Sequence, residues 1–207
     1  MKALQLTLLA TVLGFSSQVM AADWTNYLKG MQDSCNISKI ETTISKKSAI
    51  PKNLHASMTK YTVKNSMFGT KDVDIRLKNA SAFGYPIHRI THNITSENME
   101  FIVYFSNSNF TKIKSQFTTK VEGKSYAVGA KKSWLIYSES ENIKPQKILN
   151  VPYKGMDADY FGNQSDWNNV LIIGDQGWLY YGTEYGQYPF LTFDSKQKTI
   201  TCGKNLG

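Results

Sequence analysis

The sequence predicts an α+β fold: an antiparallel sheet with a few packed helices, in a single domain whose termini are tied by one disulfide. Three observations carry this reading. Apolar residues recur at helical spacing between positions 24 and 35, and from position 73 the pattern changes to short β-branched and aromatic runs bounded by Gly, Asn, Asp and Ser. The only two cysteines, Cys35 and Cys202, stand near opposite ends of the chain. Helices followed by strands, without regular alternation, are the pattern of helices laid on an antiparallel sheet.

Composition bounds the class. The chain has 207 residues, 41% hydrophobic and 13% aromatic, which is too apolar for disorder. Two cysteines are too few for a disulfide miniprotein, and 14 Gly with 5 Pro are too few for a collagen-like or low-complexity chain. No internal repeat or linker divides it.

The first element lies outside the predicted fold. Lys2 precedes an almost uninterrupted apolar run from Ala3 to Phe15, and Val19-Met20-Ala21-Ala22 places small residues where a signal peptidase reads them. The run of about 13 residues is shorter than the roughly 20 that span a bilayer, so residues 1–21 read as a cleaved signal peptide. Cleavage falls after Ala21 or Ala22, and residues 22–207 form the globular domain. No Cys follows that point to receive a lipid, and no later stretch is long enough to cross a membrane. The expected destination is the periplasm, with release to the medium as the alternative.

In the domain, Trp24, Leu28, Met31 and Cys35 make one stripe of a helix over 22–35. A Ser/Thr/Lys-rich passage follows. Pro51 then opens a second short helix with Leu54, Met58 and Tyr61 on its apolar side. Val73, Ile75 and Leu77 alternate with Asp74, Arg76 and Lys78 as in a half-buried strand, and Ala82 to Ile94 and Phe101 to Phe105 read as two more. Asn107 or Ser108 is placed to cap an amphipathic helix bearing Phe110, Ile113 and Phe117. Strands are expected at Tyr126 to Val128, Trp134 to Tyr137, Val170 to Ile173 and Trp178 to Tyr181. Gly174-Asp175-Gln176-Gly177 joins the last two as a hairpin. Phe190 to Phe193 and Thr199 to Cys202 form a closing hairpin.

Export gives the cysteines their meaning. In an oxidising compartment Cys35 and Cys202 are expected to pair, closing a loop worth up to about 5 kcal/mol of chain entropy. A nucleophilic or metal-binding thiol would need a neighbouring His, and neither Cys has one in sequence.

Catalytic motifs are weak. His88 and His92 have the i, i+4 spacing of a zinc helix, but no Glu lies between them and the surrounding residues alternate like a strand. Four strand residues span roughly 13 Å, too far for one metal, so both are read as surface or edge-strand histidines. His55 is isolated. Ser57-Met58-Thr59-Lys60 fits an acylation motif, yet Ser195 to Lys198 fits it equally and the partner motifs are absent. Asp157, Asp159 and Asp166 lie in a Gly-flanked stretch where the ordinary reading is turn chemistry. The expectation is a protein that is not an enzyme, with no metal and no cofactor.

The formal charge is +8, and +7 once residues 1–21 and their single Lys are removed. Of the 24 basic residues only Arg76 and Arg89 are Arg. Arg is the residue suited to bidentate phosphate and base-edge contacts, so nucleic acid is an unsuitable partner. An acidic protein is a better one.

The segment Gly177 to Phe190 gathers Trp178, Tyr180, Tyr181, Tyr185 and Tyr188 around one charge, Glu184. Strand alternation buries part of this set. The remainder suits partner binding, because Tyr and Trp present large rigid area at low entropy cost.

Leu77-Lys-Asn-Ala80, Phe83-Gly-Tyr-Pro-Ile87, Phe101-Ile-Val-Tyr-Phe105, Asn109-Phe110 and the closing Thr-Ile-Thr-Cys202 resemble small exported Gram-negative proteins of the immunity type. The resemblance implies a protein that binds and neutralises a toxin delivered into the periplasm. It assigns no contact residue. The expected function is therefore an inhibitor or immunity-type protein for an acidic, envelope-acting toxin or enzyme. The alternatives are a small cell-wall hydrolase using Asp157, Asp159, Asp166 or Glu184, and a carbohydrate- or lipid-binding accessory protein.

Overall fold

The structure is a computed structural model. It describes residues 21–66, 69–96, 98–107, 109–121, 124–128, 133–136, 146–150, 169–174, 177–182 and 188–205. In chain order the strands are β1 (Ala22–Asp23), β2 (Met58–Asn65), β3 (Lys71–Ala82), β4 (Tyr85–Ile94), β5 (Asn98–Phe105), β6 (Thr118–Val121), β7 (Lys124–Ala127), β8 (Ser133–Ile136), β9 (Gln146–Asn150), β10 (Asn169–Gly174), β11 (Gly177–Gly182), β12 (Tyr188–Asp194) and β13 (Thr199–Asn205). The α-helices are α1 (Thr25–Leu28) and α2 (Ser38–Ile44).

Nine strands make one sheet in the order β1-β3-β4-β5-β13-β12-β11-β10, with β2 also paired to β3. Strands β6 and β7 form one separate hairpin, and β8 and β9 another. The sheet is mixed rather than wholly antiparallel, because β1 runs parallel to β3 at Ala80 and Ser81. The chain passes beside β3 once before the helices and returns as β3 after them, and this long crossover permits the parallel pair.

Alternation assigns the faces. Val73, Ile75 and Leu77 of β3, Ile90 of β4, Phe101, Val103 and Phe105 of β5, and Ile200 and Cys202 of β13 are all buried. Over them lie Trp24, Leu28 and Met31, then Ile37, just before α2, and Ile40 and Ile44 of α2. The N-terminal stripe is buried as its spacing predicts, but the single helix over 22–35 is not formed. α1 tightens into a 3-10 turn at Lys29–Gln32, and the chain leaves through Ser34 and Cys35, both at positive φ. Gly30 allows this exit, since a Cβ there would collide with the Asn36 carbonyl.

The expected helix at 107–117 is likewise replaced by a turn and a 3-10 segment, Lys114–Gln116. The Asn107 and Asn109 carboxamide oxygens accept the Asn109 and Thr111 amides, and these local bonds compete with helix. Ser108 lies outside the described residues. The apolar positions still reach the core. Phe105, Phe110, Phe193, Phe117 and Phe83 form a chain of ring contacts with centroids 5.0–5.6 Å apart. Phe83 and Gly84 make the two-residue turn between β3 and β4, both at positive φ as such hairpins require. α2 is the helix that the Ser/Thr/Lys-rich reading overlooked.

Cys35 and Cys202 are joined, with Cα atoms 5.5 Å apart. Cys202 is on β13, so the bond ties the N-terminal helical layer to an inner strand. Replacing both cysteines by Ala should lower the unfolding free energy by about 2–5 kcal/mol in urea titrations. A reducing agent should shift the wild-type midpoint the same way and leave the double variant unchanged.

Candidate functional site

The side of the sheet turned away from the helices is set by the residues between the core positions. On β3 these are Asp72, Asp74 and Arg76. Register brings Lys60 of β2 opposite Arg76 and Arg76 opposite Arg89 of β4. Thr62 faces Asp74, which faces Thr91, and Lys64 faces Asp72. Three strands thus present a block of charged and hydroxyl side chains.

Both arginines of the chain meet on one carboxylate. Arg89 donates from Nε and Nη2 to the two oxygens of Asp74, each at 3.0 Å. Arg76 Nε lies 3.4 Å from the same Oδ1. The Arg89 guanidinium also stands 4.9 Å from the centroid of the Tyr104 ring on β5. A planar guanidinium held by a bidentate acid and an aromatic face is fixed in one orientation. The field here is positive: burial, then Arg76, Arg89 and Lys198, hold His88 below its ordinary pKa.

Beside this cluster is a concavity of about 290 Å³ lined by Lys60, Thr62, Lys64, Asp72, Val73, Asp74, Arg89, Thr91 and Asn93. Thr91 is only 2% exposed, and its Oγ1 has no hydrogen-bond partner. Asp72 accepts the Ile94 amide at 3.0 Å.

The residues singled out in the sequence fall elsewhere. Trp178 is 1% exposed, opposite Leu191 of β12, and therefore belongs to the core rather than to a surface. Tyr180 and Tyr181 have their backbones in β11, and Tyr188 opens β12. The side chains of these three tyrosines lie outside the described residues, as do Glu184, Tyr185, Asp157, Asp159 and Asp166. Ser57 is buried in a structural role, donating to the Leu54 carbonyl at 2.7 Å and accepting from Trp24 Nε1 at 3.1 Å. His55 Nε2 lies 2.9 Å from the Ile50 carbonyl.

His88 and His92 share strand β4, as their alternation predicts, but β4 is an inner strand. His92 is not a surface or edge residue; it is 5% exposed on the helix-facing side. Burial lowers its pKa, against the opposing effects of the Lys71 carbonyl, Glu41 and Asp72. Its Nδ1 is 3.4 Å from the Lys71 carbonyl, and its Nε2 is unpartnered. Among the described residues no group of three His, Cys, Asp or Glu could hold a metal, and no helix is long and apolar enough to cross a membrane.

Asp74, Arg89, Tyr104 and Thr91 were not read as a site from the sequence. The available signal was Asp74-x-Arg76 on one strand face, together with the rarity of Arg. No protein-family model, curated protein or solved structure matches this chain.

Two outcomes follow from these placements. Asp74→Ala removes the shared acid from two guanidinium groups; with Asp74 a third exposed, at 33%, the loss is on the order of 1 kcal/mol in urea unfolding. Burial lowers the His92 pKa in the folded protein, while the unfolded chain takes up a proton near the ordinary value of 6.5. Stability is therefore full above that pH and falls as pH drops through it, with His88 acting in the same direction. His92→Gln should flatten the curve between about pH 7.5 and 5 relative to wild type, as measured by chemical denaturation.

Proposed function

We propose that this chain is an exported binding protein of the inhibitor or immunity type, which docks on an acidic, envelope-acting toxin or enzyme through the outer face of β2 to β5. The observation that carries the reading is the ordered pair Arg76 and Arg89 on Asp74 with Tyr104 beneath Arg89. Arg and Tyr dominate interface hot spots, and prior ordering lowers the entropy cost of binding.

Other features agree with it. The signal-like segment 1–21 supports export to the periplasm, and the Cys35–Cys202 bond suits an oxidising compartment. The net positive charge favours encounter with an acidic partner. On residue type alone, Tyr180, Tyr181, Glu184, Tyr185 and Tyr188 suit a second contact region.

The test is co-expression with toxins encoded beside this gene, scored by survival and complex formation. A partner should be captured, and Arg76→Ala with Arg89→Ala should weaken it by at least about 30-fold. The reading fails if no neighbouring toxin binds and deletion never sensitises cells to their siblings. Turnover of peptidoglycan by the purified protein would also overturn it.

A further inference from the structure

The concavity beside Arg89 holds donors that its own acids do not use. Arg89 is held on Asp74 through Nε and Nη2, and Asp72 accepts the Ile94 amide. Lys60 and Lys64 stand exposed at the rim, and neither has an ion-pair partner among the described residues. Thr91 lies on the outer side of an inner strand, between Ile90 and His92, which point to the core. Its hydroxyl is buried without a hydrogen bond, a state that costs free energy unless something binds there.

We propose that this concavity binds a carboxylate presented by an acidic segment of the partner, held by the Lys60 and Lys64 ammonium groups and the Thr91 hydroxyl. The inference rests on the outer face being a protein-recognition surface and specifies what the partner brings to it. Charge selects the ligand. The lining carries Lys60, Lys64 and Arg89 against Asp72 and Asp74, a surplus of one positive charge. One carboxylate neutralises that surplus, whereas a phosphate dianion would overshoot it and meet repulsion from Asp72 and Asp74. Thr91 supplies a donor to a carboxylate oxygen, and two ammonium groups supply charge-assisted bonds. The open rim admits an Asp or Glu side chain or a chain end.

The experiment is an NMR titration of the isotope-labelled mature chain with blocked pentapeptides that carry Glu, Gln or phosphoserine between Gly residues. A fourth peptide of Gly carries a free C-terminal carboxylate. The Glu peptide should shift the Thr91 and Asn93 amides, and the Gln peptide should bind about tenfold more weakly or not at all. Tighter binding of the C-terminal peptide than of the Glu peptide would assign the carboxylate to a chain end, and the reverse order to a side chain. Lys60→Glu with Lys64→Glu should abolish the shifts.

Thr91→Val supplies the readout that a structural role would not give. The isosteric change should weaken the Glu peptide about tenfold while the urea midpoint stays or rises, because the free protein loses no hydrogen bond. Equal binding of Glu and Gln peptides, tighter binding of phosphoserine, or an unchanged dissociation constant in Thr91→Val would each overturn the proposal. A partner captured normally by Thr91→Val but lost with the Arg76 and Arg89 variants would remove the carboxylate pocket and leave the docking face standing.

Discussion

Strand β13 is the joint on which the molecule depends. Strands β1 to β5 lie on one side of it and β12, β11 and β10 on the other, and the two groups meet in the sheet only through its hydrogen bonds to β5 and β12. Pairing β13 with β5 joins residues about a hundred positions apart in sequence, so the sheet is completed by the last segment of the chain. Such non-local pairing is entropically costly to form. The Cys35–Cys202 bond holds this joint from the helix side and removes much of the freedom that unfolding would otherwise gain.

The same joint separates two chemistries. Toward the helices, Cys202 and Ile200 continue the row of Phe101 and Val103, and the phenylalanine chain from Phe83 to Phe105 seals that side. On the other side the alternating positions of β2, β3 and β4 are Asp, Arg, Lys, Thr and Asn, with Ile102 and Tyr104 of β5 beside them. A β3 that slipped by one residue would expose Val73 and Ile75 and bury Asp74 and Arg76 without partners, so the apolar face fixes the register. The polar face inherits that register and gains rigidity from the core packed against the other side of the sheet. Arg89 and Asp74 can therefore form a bidentate pair without the usual loss from ordering two mobile side chains.

Much of the core was legible from spacing. Trp24, Leu28, Met31 and Cys35 are buried as their stripe implies, and the alternation of Val73, Ile75 and Leu77 gave both the strand and its inward face. Errors came where burial and local geometry part company. Phe110, Ile113 and Phe117 are spaced for a helix and are all buried, yet Asn107 and Asn109 draw the backbone into Asx turns instead. His88 and His92 are read from the sequence as surface or edge-strand histidines, but β4 is an inner strand. His92 shares the helix-facing side of β4 with Ile90 and Ile94 and is covered there.

Residue types and their intervals were enough to mark the apolar positions, most strand segments from Val73 onward though not β2, which was read as helix, the cysteine pairing and the scarcity of Arg, because each depends on a period or on a compartment. The meeting of Arg76 and Arg89 on Asp74, the stacking on Tyr104 and the unpartnered Thr91 were not available at that level. They require a particular neighbour across β2, β3, β4 and β5, including the register shifts between Arg76 and Ala80 and between Ile87 and Arg89. A shift of one residue reverses every side chain beyond it, and only the packed sheet, by burying one face, selects which residues share the other.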